Sequence, residues 1–228
     1  MTSATDALNQ TGYTIVPQVY SAEEVARISD LISSQHGTRE LFGERNFLQR
    51  TPGLLSLMLN QEMRKLLAEA APDYTIIKSI YFDKAPGANW FVSFHRDQII
   101  FVKNKIEAWG FKNWTNRGDC FGVQPSPDIL GNMVTIRIHL DDADQNNGAL
   151  KVIPYTHSEA TVRSVNTNFS DSDSVLCPVR AGGVMLMKPL LFHASSKSAS
   201  DKRRRVIHLE LCGMELPEGM EWAQKTTI

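Results

Sequence analysis

His95 and Asp97 stand two residues apart in SFHRDQII (93–100), an otherwise apolar run with strand character. Side chains two apart on a strand share a face, so an imidazole and a carboxylate are set side by side. Two readings fit that spacing: a hydrogen-bonded structural pair, or two ligands of a metal that takes further ligands from elsewhere. Among the remaining histidines, His36 falls near a helix end, where a positive side chain suits the dipole. His157 follows a strand and a turn and points to neither role. His193 is different, because it ends the apolar run VMLMKPLLF and is followed by the polar loop 194–198. A histidine at the end of a buried strand faces a pocket while the next residues turn away. His95, Asp97 and His193 make two imidazoles and one carboxylate, a set that leaves three octahedral positions open and is characteristic of non-haem iron oxygenases. A tetrahedral zinc hydrolase uses the same ligand types, so the triad alone leaves the metal open.

The elements that must position these residues change character along the chain. Ser21-Ala22-Glu23-Glu24 has capping-box spacing and is followed by apolar residues at helical intervals. A short strand precedes it, and an apolar stripe over Leu54–Ala70 predicts a second helix. From Tyr74 onward, TIIKSIYF, FHRDQIIFV, MVTIRIHL, GALKVIPY, GVMLMKPLLF and RRVIHLEL read as strands separated by Gly, Pro, Asn and Asp clusters. Asn147-Gly148 favours a two-residue hairpin. The pattern predicts one domain over 1–228, helical in 1–72, with a β-sandwich or barrel in 73–215. Residues 104–130, with Trp109 and Trp114, and the serine-rich 156–178 are too long for tight turns and are candidate lids or binding loops.

Composition narrows the function classes. The 228 residues are 42% hydrophobic and 21% charged with a net charge of −1, which gives no footprint for nucleic acid or an anionic membrane. The basic run 202–205 reads as a solvated turn. Three cysteines without CxxC spacing fit a reducing compartment, and with no secretory signal or apolar span visible the expected location is the cytoplasm.

Taken in order, HRD (95–97), HLDDADQNNGALKVIPYTH (139–157), GGVMLMKPLLFHASSKS (182–198) and RRRVIHLEL (203–211) resemble the phytanoyl-CoA dioxygenase family over about residues 12–222. The resemblance implies a double-stranded β-helix, a jelly-roll of the cupin kind braced by helices. It implies an Fe(II)- and 2-oxoglutarate-dependent dioxygenase that uses O2 to hydroxylate or otherwise oxidise a small molecule, releasing succinate and CO2. His95, Asp97 and His193 become the iron ligands. Arg204, eleven residues beyond the distal histidine, becomes the anchor of the 2-oxoglutarate carboxylate, for which a planar guanidinium is suited. Alternation then turns Arg204 inward and leaves Arg203 and Arg205 solvated. Ser195 supports the same carboxylate. Thr135, with Arg137 and His139 on its strand face, lines the co-substrate pocket, and Lys78 borders the substrate side. Aromatic residues Trp109 and Trp114 are candidates to cover the substrate, a polar or anionic small molecule. Arg96 departs from the glutamine common between the two ligands and weakens substrate analogy. A metal-dependent hydrolase or isomerase on a cupin-like barrel stays open beside this reading, as does a non-catalytic 2-oxoglutarate or small-molecule binder.

Overall fold

The first two helices take their starts from capping residues. Ser3 and Asp6 make a reciprocal capping box at the start of α1 (Ala4–Thr11), and Gly12 closes it with φ 90°. The computed structural model describes residues 3–37, 41–84, 90–158, 169 and 171–228. After β1 (Tyr13–Val16), Ser21 and Glu24 form the expected box on α2 (Ala22–His36), which buries Ile28 and Ile32. A short strand β2 (Phe42–Arg45) and the turn α3 (Phe47–Arg50) follow. The single helix expected over Leu54–Ala70 is two, α4 (Leu54–Met58) and α5 (Gln61–Ala70). Asn60 explains the break, since its side chain accepts from the Met63 N–H at 2.8 Å and caps a new helix.

The rest is strand: β3 (Thr75–Lys84), β4 (Val92–His95), β5 (Ile100–Val102), β6 (Lys112–Asn116), β7 (Phe121–Gln124), then the short helix α6 (Pro127–Gly131). There follow β8 (Met133–His139), β9 (Leu150–Ile153), β10 (Val175–Cys177), β11 (Val184–Met187), β12 (Phe192–Ser195), β13 (Arg204–Cys212) and β14 (Thr226–Thr227). The large sheet runs β1-β11-β8-β13-β3-β14 with β2 also on β3; a second runs β10-β9-β12-β4, and a third β5-β7-β6. Every pairing among the described residues is antiparallel.

All seven residues of β8 are buried because both faces of the large sheet are covered. Val134, Ile136 and Ile138 pack outward against Ile28, Ile32, Met58 and Met63 of the helices. On the other face, Leu150 and Val152 of the second sheet meet Met185 and Met187 of β11. This is the expected jelly-roll braced by helices. At roughly 2 kcal/mol per buried aliphatic side chain, the helix-covered face offsets a polar inner face.

Four local expectations are corrected. FHRDQIIFV is not one strand: β4 ends at His95 and β5 begins at Ile100, in different sheets. VMLMKPLLF likewise splits into β11 and β12 around Lys188-Pro189, where proline removes a ladder donor. Asn147-Gly148 does not close a hairpin, because β8 and β9 belong to different sheets and the turn carries the chain between them. Residues 104–130 are a folded unit rather than a loop: β6 and β7 complete a sheet with β5, and Phe111 and Trp114 pack against the cluster containing Ile100, Val123 and Trp222. Of the serine-rich 156–178, residues 159–168 and 170 lie outside the described residues.

Candidate active site

Neighbouring strands bring the two imidazoles together. His193 on β12 is the direct cross-strand partner of His95 on β4, and their ring centroids lie 4.2 Å apart. Asp97 follows just beyond β4, fixed by its N–H to the Pro189 carbonyl at 2.9 Å, so that backbone contact rather than strand alternation aims its side chain. His95 Nε2 stands 3.5 Å from Asp97 Oδ1, and His193 Nε2 stands 3.6 Å from Asp97 Oδ2. One ligand atom from each residue falls within 4.8 Å of the others. Each imidazole makes a second bond that sets its tautomer: His95 Nδ1 to the Ser93 carbonyl at 2.9 Å, His193 Nδ1 to the Leu191 carbonyl at 2.8 Å. A carbonyl only accepts, so both Nδ1 atoms carry hydrogen and both Nε2 atoms are left facing the carboxylate. Burial pushes His193 down to about 4, which keeps it neutral at pH 7. Burial works against the Asp97 charge, but the neighbouring His193, His95, His208 and Lys78 together hold its carboxyl well below the ordinary range. Electron-rich atoms converging in this way suit a shared cation.

The far end of the pocket carries a buried guanidinium. Arg204, at the start of β13, is 3% exposed, and its Nε and Nη1 have no partner among the described residues. A buried guanidinium without an acceptor is costly, and a carboxylate placed between its donors removes that cost. Ser195, two residues past His193, is also buried and lines the same cavity. Lys84 lies opposite Arg204 in the β13–β3 register and donates to the Ser196 carbonyl at 2.8 Å, with Ser195 Oγ at 3.4 Å. Burial, then Arg204 and Arg137, push the Lys84 ammonium down to about 8. Thr135 and His139 do not line the cavity as expected: His139 pairs with Val206, two residues from Arg204, whereas Thr135 pairs with Glu210, six residues from it, and Thr135 Oγ1 and both His139 ring nitrogens are unpartnered among the described residues. Burial and the two guanidiniums hold His139 well below its ordinary value.

Between these ends a charged chain crosses the sheet. Arg137 Nη1 donates to His208 Nδ1 at 3.0 Å; arginine only donates, so His208 carries its hydrogen on Nε2 and offers it to Glu210 at 3.3 Å. Lys78 then donates to both Glu210 oxygens at 2.6 and 2.7 Å and to the Ile99 carbonyl. Asp97, His208 and Glu210 also cluster at metal-ligand separation, but the His208 hydrogen and the Lys78 ammonium already occupy that group.

A cavity of about 390 Å³ runs from Ser195 and Arg204 past the triad to Lys78 and Arg45. It brings together His95, Asp97, His193, Arg204, Ser195, Arg137 and Lys78. Trp109 and Trp114 are elsewhere: Trp109 is 92% exposed, and Trp114 packs in the third-sheet core. Arg203 and Arg205 do point away from the cavity, yet they are not merely solvated. Each makes a two-pronged ion pair, Arg203 with Asp83 and Arg205 with Asp141. Arg96 leans over Phe192 and donates to the Leu190 carbonyl at 3.0 Å. Sequence reasoning missed Lys84, Glu210, Arg45 and Arg117. Continuing the alternation Lys78-Ile80-Phe82 by one step finds Lys84, and continuing Arg204-Val206-His208 finds Glu210. For Arg45 and Arg117 no local signal existed.

The model of the phytanoyl-CoA dioxygenase family matches residues 8–206. The chain belongs to the phytanoyl-CoA dioxygenase family. Within that family it is similar to phytanoyl-CoA dioxygenase domain-containing protein 1 of Danio rerio, 27% identical over 171 residues that cover 66% of this chain and 50% of the relative. The chain thus spans about half the length of that curated relative. Among solved structures, the family fold is shared by SnoK, a non-heme alpha ketoglutarate dependent carbocyclase from nogalamycin biosynthesis (TM-score 0.65, 19% identity, 92% of this chain and 82% of that one). It is shared also by HygX from Streptomyces hygroscopicus, solved with iron bound (TM-score 0.64, 13% identity, 92% and 86%).

Proposed function

We propose that this family member is an Fe(II)- and 2-oxoglutarate-dependent dioxygenase that hydroxylates a small polar or anionic molecule. The observation that carries the reading is the buried Arg204 guanidinium, without an acceptor, at one end of a cavity whose middle holds three converging ligand atoms. His95 Nε2, the Asp97 carboxylate and His193 Nε2 would hold the iron, and Arg204 with Ser195 and Lys84 would hold the distal carboxylate of 2-oxoglutarate. When bound, iron and 2-oxoglutarate let O2 place one oxygen atom in succinate, with loss of CO2, and the other in the substrate.

The chain's own part is positional. Backbone carbonyls of Ser93 and Leu191 hold the two Nδ1 atoms as donors, so both Nε2 atoms face the centre before a metal arrives. Arg204 neutralises a carboxylate that burial would otherwise exclude. The Arg137–His208–Glu210–Lys78 chain keeps the floor rigid beside Asp97. No acid or base residue is needed. The unpaired cysteines, Cys120, Cys177 and Cys212, suit a reducing cytoplasm, and among the described residues no helix is long and apolar enough to cross a membrane.

Two variants test the assignment. His193→Ala abolishes metal-dependent succinate release. Arg204→Ala raises the 2-oxoglutarate concentration needed by about 100-fold while sparing metal binding, the scale of a lost charge-assisted pair. Normal 2-oxoglutarate turnover by Arg204→Ala overturns the anchor. Tryptophan fluorescence that is unmoved by anaerobic Fe(II) and 2-oxoglutarate overturns the whole reading.

A further inference from the structure

The cavity continues past the triad. Arg45, Lys78, Phe101 and Arg117 line both it and an adjoining cavity of about 300 Å³. Arg45 ends β2, opposite Ile80 of β3, and Arg117 directly follows β6, so two sheets deliver guanidiniums to one mouth. Cys120 is close enough to feel both charges. Both side chains are exposed to solvent, and neither guanidinium has a hydrogen-bond or ion-pair partner among the described residues, although Asp119 lines the adjoining cavity beside them. Elsewhere Arg50, Arg180, Arg203 and Arg205 each meet a carboxylate.

Charge in the main cavity points the same way. Six cationic side chains line it against two carboxylates, Asp97 and Glu210. A divalent metal and the 2-oxoglutarate dianion cancel each other, so loading the site leaves the excess in place. Lys78 is spent on Glu210, and Arg96 on backbone carbonyls. Arg137 stays buried with its Nε unpartnered among the described residues, which keeps the interior positive. Ile80, Ile99 and Phe101 supply an apolar wall between the triad and the mouth.

We infer that Arg45 and Arg117 form an anion clamp for the prime substrate, an organic molecule that lays an apolar part along Ile80 and Phe101 and ends in a carboxylate or phosphate. The inference rests on the proposed dioxygenase reading for the position of the oxidised carbon, but anion binding is measurable without it.

The test is calorimetric titration of the full chain, loaded with Mn(II) and saturating 2-oxoglutarate, with phenyl phosphate, benzoate and benzyl alcohol. Both anions bind about tenfold more tightly than the alcohol, and in R45Q/R117Q the advantage falls to about twofold, as expected for losing two charge-assisted contacts. Whichever anion binds better identifies the group the clamp fits. Equal affinity for benzyl alcohol overturns the proposal, as does an advantage that survives in the double variant or vanishes when 2-oxoglutarate is added. Titration of 2-oxoglutarate into the Mn(II)-loaded protein is read separately. Its failure removes the dioxygenase reading, while the anion preference and its loss in R45Q/R117Q are still judged on protein without co-substrate.

Discussion

Lys84 shows what a buried cation costs its own fold. It is 1% exposed and faces Arg204 across the sheet, and it is pushed down to about 8 from an ordinary 10.5 by burial and then by Arg204 and Arg137. Below about pH 8 the ammonium is charged in both folded and unfolded chains, so the full cost of burying it is present. Between about 8 and 10.5 the unfolded chain binds the extra proton, and stability from this group rises with pH. Lys84→Met should therefore be more stable than wild type, without ligand at pH 7, by about 2 kcal/mol, a gap that closes towards pH 10.5. Denaturant unfolding across that range measures the gap, and a constant difference would count against the charge-burial account. The same variant should bind 2-oxoglutarate more weakly. At this scale the sequence spoke clearly where residue type and spacing coincide, as in His95, Asp97 and His193. It was silent on pairings such as Lys78–Glu210, whose partners stand 132 positions apart.

Among the elements, the turn joining β8 to β9 has the most direct hold on the site. Gly148 has φ +78°, and a Cβ there would lie 2.5 Å from the Ser196 carbonyl and 3.0 Å from Lys84 Nζ. Gly148→Ala should cost about 2 kcal/mol or more, from the left-handed conformation plus the clash, and should weaken 2-oxoglutarate binding by displacing Ser196 and Lys84. Gly118, φ +92° in the β6–β7 turn, has open space around it. Gly118→Ala should cost about 1 kcal/mol and leave 2-oxoglutarate binding intact. Thermal melts and a co-substrate titration of both variants separate conformational strain from displacement of the pocket. Sequence periodicity located the strands of the main core but missed β2, β6, β7, β10 and β14, and it ran two pairs together, at 92–102 and 184–195. Apolar alternation continues across both breaks, and only the sheet each half joins separates them.

For the molecule as a whole, a centre assembled from β4, the segment after it and β12 should couple metal binding to folding. Mn(II) at 100 times its dissociation constant should stabilise the protein by about 3 kcal/mol, reversed by a chelator and absent in His193→Ala. A melting temperature indifferent to metal would sink the proposed centre. The sequence by itself determined the binary pattern: helices first, β-strands after, a face of Val134, Ile136 and Ile138 opposite one of Thr135, Arg137 and His139, and the order of the motifs that carry the candidate ligands. These follow from local propensity and period, which act over a few residues. Only the tertiary structure decided that Trp109 and Trp114 stand away from the cavity, that Arg203 and Arg205 meet Asp83 and Asp141, and that Arg45 and Arg117 converge at its mouth. Those outcomes depend on which strands become neighbours across long stretches of chain. Sheet pairing and the burial of apolar faces settle that choice jointly, beyond the reach of any local window.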